Sequence, residues 1–190
     1  MIITLLGPPG AGKGTQGKLL SQALGLPHLS TGDMLRDIVA SGSDLGARIA
    51  AVIDKGHFIS DEMARDMVAA RISEPDCARG VILDGFPRTL PQVALLDEIL
   101  IERGTNLAAA LLLEVPQEAL IARITGRGDG RADDRPEIIA ERLTVFREKT
   151  QPAIEAYRAS GTLKMVSGAQ APEDVLKASL EILGMPQGAL

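Results

Sequence analysis

The chain is organised around the stretch Leu5-Leu6-Gly7-Pro8-Pro9-Gly10-Ala11-Gly12-Lys13-Gly14-Thr15. Residues 1–6 form a short apolar, β-branched run, which predicts a buried strand before the glycines. Residues 16–24 have apolar side chains at helical spacing, at Leu19, Leu20, Ala23 and Leu24. A strand, a glycine-rich loop and a helix in this order are the context in which such a loop binds phosphate.

The loop departs in one position from the pattern G-x-x-x-x-G-K-[ST], because Gly14 stands directly after Lys13 and Thr15 comes one place later. Glycines let successive backbone N–H groups point into one concavity, and the positive end of the helix dipole adds to the attraction for anions. Lys13 can reach the outer phosphates as a point charge. The Thr15 hydroxyl can still serve a phosphate or a water on Mg²⁺. A glycine-rich turn with an incidental lysine explains this combination poorly, so we predict a phosphate-binding loop.

Composition places the chain in one α/β domain with small insertions. Its 190 residues suffice to bury a proper core, and 45% of them are hydrophobic. Aromatic residues make up only 2%, so the core is expected to consist of Leu, Ile, Val and Ala. Cys77 is the single cysteine, which excludes an internal disulfide and a structural zinc held by cysteines.

Charge and hydropathy exclude several classes of partner. The formal net charge is −5 and there is no long basic run, whereas duplex binding depends on a Lys/Arg footprint, so nucleic acid is not expected as a partner. The longest aliphatic run, residues 107–113, is too short to span a bilayer. The N-terminus lacks the basic region of a signal peptide. We expect a cytoplasmic monomer, without a membrane partner, whose cations are concentrated in a cleft.

Strand and helix patterns alternate along the chain. Strands are predicted at residues 2–6, 81–83, 108–113 and 163–166, and a short apolar turn at residues 26–29. Helices are predicted at residues 13–24, 31–41, 44–54, 60–73, 90–103, 117–125, from 137 onward and from 172 to about 183. Pro152 is expected to kink or break the helix that begins at residue 137. This alternation predicts a parallel sheet covered on both faces, with ligands at the carboxyl ends of its strands.

Three further stretches carry polar residues suited to phosphate chemistry. Ser30-Thr31-Gly32-Asp33-Met34-Leu35-Arg36 opens a helix, with Ser30 or Thr31 as its cap and Asp33 in its positive first turn. Leu83-Asp84-Gly85-Phe86-Pro87-Arg88 ends a buried strand, where an aspartate is the usual partner of a P-loop magnesium. Arginines flank the glycine-rich residues 126–136, at Arg123, Arg127, Arg131 and Arg142. Any one of these alone is better explained by a capped turn or a solvated helix face, but their combination favours a site.

Together, the stretches GPPGAGKGT, STGDMLR, LDGFPRT and GRADD resemble, in this order, the motifs of the adenylate kinase family, whose glycine loop also carries Gly-Thr after its lysine. The resemblance covers nearly the whole chain and implies an α/β fold with a P-loop NTPase-type parallel sheet flanked by helices. It implies a core of residues 1–29, 60–125 and 137–190, an AMP-binding helical insert at residues 30–59 and a short lid at residues 126–136. The implied reaction is reversible transfer of the terminal phosphoryl group of ATP to AMP, giving two ADP, with Mg²⁺.

The resemblance also implies roles for individual residues. The ATP side would be formed by Gly10, Ala11, Gly12, Lys13, Gly14, Thr15, Arg123, Arg127 and Gln170. The AMP side would be formed by Thr31, Arg36, His57, Phe58, Ile59, Gly85, Phe86, Pro87, Arg88, Gln92, Arg131 and Arg142. The residues implied in catalysis are Lys13, Arg88, Arg123, Arg127, Arg131 and Arg142. Magnesium would be held, largely through water, by Thr15, Asp33 and Asp84.

Such a reaction needs no general base, because the attacking oxygen of the AMP phosphate is already ionised at pH 7. The chain has two histidines, and we interpret His28 as structural. One alternative is a kinase for another nucleoside monophosphate. The resemblance favours adenine through Thr31 and Gln92, since family members that act on pyrimidine nucleotides carry Ala and Asn at these positions. Another is a nucleotide-dependent switch, but a GTPase would need Asn-Lys-x-Asp and the single asparagine, Asn106, is followed by Leu107.

Overall fold

The computed structural model describes residues 1–126 and 135–185, without the side chains of residues 136 and 137. The predicted lid at residues 126–136 therefore lies mostly outside the described residues, as do Arg127 and Arg131. The described residues form a five-stranded sheet with helices on both faces.

All strands of the sheet run parallel, which confirms the predicted fold class. In chain order they are β1 (Ile2–Leu6), β2 (His28–Ser30), β3 (Val81–Asp84), β4 (Leu107–Glu114) and β5 (Leu163–Ser167). Their order across the sheet is β2-β3-β1-β4-β5. The chain continues to one side of β1 with β2 and β3 and to the other with β4 and β5, so the carboxyl end of β1 lies where a parallel sheet of this kind binds its ligands.

The helices follow the predicted pattern closely. They are α1 (Lys13–Leu24), α2 (Thr31–Ala40), α3 (Asp44–Ile53), α4 (Asp61–Ile72), α5 (Leu90–Glu102), α6 (Gln117–Thr125), α7 (Pro136–Val145), α8 (Gln151–Ala159) and α9 (Pro172–Ile182). The side chains of Ser30, Ser43 and Ser60 each accept a hydrogen bond from the backbone N–H three residues on, and so cap α2, α3 and α4. Ser30 is thus the cap of α2, and Thr31 is its first residue.

The core is divided by the sheet because successive strand residues point to opposite faces. On β1, Ile3 and Leu5 pack with buried residues of α1, α6, α7 and α9. Ile2 points to the other face and packs with α4 and α5, while Leu6 packs with Ile154 and Tyr157 of α8. The same alternation in β3 and β4 leaves no face of the central strands exposed, as the near-continuous apolar runs predict.

Two predictions about the chain path are decided by the structure. The apolar turn predicted at residues 26–29 is wrong in its second half, because His28 and Leu29 belong to strand β2, which pairs with β3 through His28 and Ile82, and through Leu29 and Leu83. The break predicted at Pro152 is confirmed: a π-helical segment, Phe146–Thr150, interrupts the helix just before Pro152, which lies in the first turn of α8.

Cys77 is a structural residue rather than a reactive one. It is buried beneath a short 3₁₀ turn, Pro75–Cys77, and its sulfur accepts a hydrogen bond of 3.1 Å from Nη1 of Arg71. Burial raises the pKa of the Cys77 thiol, and this outweighs the opposite influence of Arg71. A thiol kept protonated in this way is a poor nucleophile.

Candidate active site

The glycine loop lies at the carboxyl end of β1, between Leu6 and the first residue of α1. Gly7, Gly10 and Gly12 have φ angles of 144°, 82° and 92°, which only glycine adopts without strain. α1 has no side-chain cap and no acidic residue in its first turn. Its first N–H groups and the positive end of its dipole are therefore turned to the loop, which suits them for an anion.

Lys13 is held across this loop. Its Nζ donates to the carbonyl oxygen of Gly7 at 2.7 Å and to that of Pro8 at 3.0 Å. The two bonds fold the side chain back over the glycines, so its charge lies at the concavity formed by the loop rather than in bulk solvent.

Arg123 and the turn that leads to Gln170, both predicted for the ATP side, lie on one flank of the loop. Nη1 of Arg123, on α6, donates to the carbonyl oxygen of Gly168 at 2.8 Å. A Cβ added to Gly168 would lie 3.3 Å from the carbonyl oxygen of Ala11, so the turn that leads to Gln170 packs directly against the glycine loop. Gln170 itself is exposed.

Asp84 lies on the opposite flank, as the last residue of β3. It is buried, and its Oδ2 lies 3.5 Å from Nε2 of His28. This separation is too long for a hydrogen bond. The buried Nε2 atom of His28 has no hydrogen-bond partner among the described residues. A Cβ added to Gly14 would lie 3.7 Å from the same carboxylate oxygen. Asp84 and the start of α1 are thus neighbours, with the Thr15 hydroxyl one residue further on.

These oxygens suit Mg²⁺ by their chemistry, since carboxylate and hydroxyl groups are the hard ligands that this ion prefers. Among residues 1–126 and 135–185, no three His, Cys, Asp or Glu side chains come together as a metal cage. Mg²⁺ usually keeps several waters and takes few protein ligands, so Asp84 and Thr15 fit a water-mediated site. Asp33, in the first turn of α2, is paired with Arg36.

A pocket of about 300 Å³ opens beside Lys13, at the same edge of the sheet. Its walls come from α2, α3, α4, the loop after β3, α7 and the π-helical segment. Of the residues predicted for the AMP side it is lined by Thr31, Arg36, His57, Phe58, Ile59, Gly85, Pro87, Arg88, Gln92 and Arg142. Phe86 does not line it, because its side chain is fully buried in the core and its carbonyl oxygen accepts from Oγ1 of Thr4 at 2.8 Å.

Arg88 is positioned by the loop that follows β3. Its Nε donates to the carbonyl oxygen of Gly85 at 2.8 Å, and its guanidinium lies 5.0 Å from the centre of the Phe58 ring. Gly85 has φ 88°, and a side chain there would collide with Oγ1 of Thr31 and with the guanidinium of Arg88. The missing Cβ is what lets these two groups approach each other.

Gln92, predicted to contact the AMP base, also anchors this loop. Its Oε1 accepts from the backbone N–H of Arg88 at 2.7 Å and its Nε2 donates to Oδ1 of Asp61 at 2.8 Å. Oγ1 of Thr89 donates to the same Asp61 oxygen at 2.9 Å. Sequence reasoning missed Asp61, which reads as an ordinary acidic residue in the first turn of α4.

The apolar wall of the pocket was also missed. Leu35, Val39, Ile53 and Met67 line it together with Phe146 and Thr150. Leu35 and Val39 are four residues apart on α2 and so lie on one face of that helix, a spacing that could have identified them. The π-helical segment that presents Phe146 and Thr150 has no comparable signal in the sequence.

Comparison with known proteins agrees with this arrangement. A family model described as Adenylate kinase matches residues 5–162. The chain is 49% identical over 176 residues to a protein named Adenylate kinase from Rhizobium meliloti, with 88% of this chain and 92% of that protein covered. It is 45% identical over 194 residues to proteins of the same name from Brucella ovis and Brucella suis, with 98% of this chain and 100% of each covered. Sequence, fold and relatives agree, and the chain belongs to the adenylate kinase family.

Proposed function

We propose that the chain catalyses the reaction of its family, the reversible transfer of the terminal phosphoryl group of ATP to AMP, giving two ADP. The observation that carries this function is the joining of a glycine loop and a cation-lined pocket at one edge of the sheet. Lys13 belongs to both, and Arg36, Arg88 and Arg142 line the pocket. A phosphate on the loop and a second phosphate in the pocket would therefore meet beside Lys13.

The pocket is the acceptor site in this proposal. A nucleoside monophosphate combines a flat apolar base with a doubly charged phosphate. The pocket has apolar side chains to contact the base and arginines to pair with the phosphate. Leu35, Val39 and Met67 form the apolar wall, and Arg36, Arg88 and Arg142 supply the charge. Thr31 and Gln92 also line the pocket and are the residues assigned to the recognition of the base in this proposal.

Catalysis rests on positioning and on charge neutralisation. The attacking phosphate oxygen is ionised at pH 7, so no side chain has to remove a proton from it. Two polyanions must instead be brought into contact, and Lys13, Arg88 and Arg142 offset the charge that develops on the transferring group. Arg123, Arg127 and Arg131 complete this set in the proposal, the last two from residues 126–136, which act as the lid that excludes water.

The donor side is the glycine loop with its neighbours. Backbone N–H groups from Gly10 to Thr15 hold the ATP phosphates, and the turn at Gln170 meets the adenine. The polypeptide divides accordingly into a core of residues 1–29, 60–125 and 137–190, an acceptor insert of residues 30–59 and the lid.

Magnesium accompanies ATP at this site. When bound, Mg²⁺ would neutralise part of the charge of the ATP phosphates. Thr15, Asp33 and Asp84 hold its water shell in the proposal, which the donor chemistry and burial of Asp84 support.

One assay tests both the activity and the acceptor. ADP formation is followed with ATP and each of AMP, GMP, CMP and UMP, with Mg²⁺ and with excess chelator. We expect AMP to give a kcat/KM at least about a hundredfold above the others, because a site that hydrogen-bonds the right base leaves buried polar groups unpaired with the wrong one. Equal rates with a second monophosphate would contradict the acceptor assignment, and full activity in chelator would contradict the magnesium assignment.

We also propose that the working enzyme is a cytoplasmic monomer, because one chain supplies every group named above and its substrates are metabolites of that compartment. Nucleic acid is not a partner in this proposal, in keeping with a net charge of −5. Within residues 1–126 and 135–185, no helix combines the length and the apolar character needed to cross a membrane.

A further inference from the structure

The turn after α3 is fastened to α7, a helix more than 80 residues further along the chain. Nε2 of His57 lies 3.1 Å from Oε1 of Glu141, a contact between residues 84 positions apart. Just before it, Gly56 approaches α7 so closely that an added Cβ would lie 2.9 Å from Cγ of Arg142 and 3.3 Å from Cγ2 of Ile138. The turn at Gly56 therefore packs closely against α7, and the polar contact between His57 and Glu141 lies beside this packing.

The three residues of α7 that make this contact share one face of the helix. Ile138, Glu141 and Arg142 are spaced i, i+3 and i+4, which places them side by side. Gly56 has φ +79°, in a region that side chains disfavour. The turn thus presents a residue without a Cβ where the helix comes nearest, and the next residue, His57, supplies the polar contact.

The same face of α7 serves the pocket. Arg142 lines it, as do His57, Phe58 and Ile59 from the turn. The helix that presents an arginine to the reacting phosphates therefore also fixes the segment proposed to hold the acceptor. A shift of the turn away from α7 would move residues 57–59 and the Phe58 ring, over which Arg88 lies.

We infer that Glu141 is a positioning residue for the acceptor site: through His57 it holds residues 57–59 against α7 and so sets the affinity for the nucleoside monophosphate. This inference rests on the proposed function, because it takes the pocket to be the acceptor site. Glu141 acts through His57 and does not line the pocket.

The expected effect is modest and selective. Both side chains are about half exposed, and exposed ion pairs or hydrogen bonds of this kind correspond to roughly 1.5- to 5-fold in an equilibrium constant. Glu141→Ala should raise KM for AMP by that factor and leave KM for ATP and the Tm nearly unchanged. A residue that acts only on folding would alter Tm and both KM values together.

The test is a double-mutant cycle on KM for AMP, with His57→Ala, Glu141→Ala and the double variant. If the two side chains act as a pair, the double variant is no worse than the worse single variant. Glu141→Gln keeps an acceptor oxygen for the His57 ring and should stay within about twofold of the wild type. The exchange His57→Glu with Glu141→Lys should recover most of the affinity lost by either substitution alone.

Glu148→Ala is the matched control for Glu141→Ala, because Glu148 is an exposed glutamate on the π-helical segment seven residues further along. It removes the same charge and the same side-chain atoms as Glu141→Ala does and should leave KM for AMP unaltered. Single effects that simply add, an equal rise in KM for ATP, or the same change in the control would each overturn the inference. The failure of the proposed function is a separate result, since the wild-type chain would then form no ADP from ATP and AMP.

Discussion

The position of the Lys13 charge depends on hydrogen bonds made by a single atom, Nζ. Its two hydrogen bonds to loop carbonyl oxygens place its charge where the phosphates of ATP and AMP would meet. We expect removal of that charge to affect the transition state more than the fold, because the φ angles of the loop depend on its glycines rather than on Lys13.

We predict that Lys13→Met lowers kcat by at least about 10²–10³-fold, as for the loss of one fixed donor at a developing charge. The free energy of unfolding should fall by no more than about 2 kcal/mol, which is the value of the hydrogen bonds lost. Steady-state rates and urea unfolding measure the two quantities. Lys18→Met, an exposed lysine on the same helix, should change neither, and near-normal turnover of Lys13→Met would refute the role assigned to the loop.

At the scale of residues, the sequence predicted which motifs meet at one edge of the sheet better than it predicted the contacts of single side chains. Ser30, Lys13 and Asp84 could be picked out as a helix cap, a loop lysine and a strand-end carboxylate, because each belongs to a motif formed by residues adjacent in sequence. The burial of the Phe86 side chain was not predictable, because a motif does not say which of its side chains turn into the core. Asp61 could not be found at all, since its contacts with Thr89 and Gln92 join α4 to α5 and depend on the tertiary fold.

At the scale of elements, long periodic segments were predicted well and short ones were not. The β2 strand has three residues and, among the described residues, pairs with β3 alone, so tertiary pairing rather than local propensity decides whether it forms. The break near Pro152 was predictable because proline removes a backbone donor. The π-helical form of that break, which turns Phe146 and Thr150 to the pocket, has no local cause that a pattern could reveal.

The packing of α1 against β2 gives an element-scale prediction. Gly17 leaves room for the His28 ring, which a Cβ at that position would overlap. Gly→Ala in a helix normally stabilises by about 1 kcal/mol, but crowding a packed core costs about 1–3 kcal/mol. We therefore expect Gly17→Ala to lower the free energy of unfolding by up to about 2 kcal/mol, measured by urea unfolding.

The sign should reverse when the ring is removed. In a His28→Ala background the added methyl group meets no imidazole, so the helix propensity of alanine should prevail and the same substitution should stabilise the protein. A stabilising Gly17→Ala in the wild-type background would show that the ring moves aside at little cost.

At the scale of the whole molecule, the distribution of charge matters more than its sum. The chain carries a net charge of −5, yet the pocket beside the glycine loop is lined by Lys13, Arg36, Arg88 and Arg142. Asp54 also lines the pocket, but these four cations outnumber it, and a positively charged cleft in an acidic protein attracts anions to that cleft. Composition alone predicts that nucleic acid is not a partner, but it does not locate the cations, because that depends on which strands and helices meet at one edge.

If the loop and the pocket form one continuous site, a ligand that spans both should stabilise the fold more than either substrate. An analogue joining two adenosines through a phosphate chain should, at about 100 times its Kd, raise the free energy of unfolding by about 2.7 kcal/mol and the Tm by roughly 5–10 °C. AMP alone at the same concentration should give a smaller shift. Arg88→Ala should reduce the shift given by the analogue, because Arg88 lines the pocket that would hold its AMP half. Arg103→Ala, at the exposed C-terminal end of α5, is the control and should keep the full shift. An analogue that stabilises no more than AMP does would mean that the loop and the pocket bind independently, and phosphoryl transfer between them would then lose its structural basis.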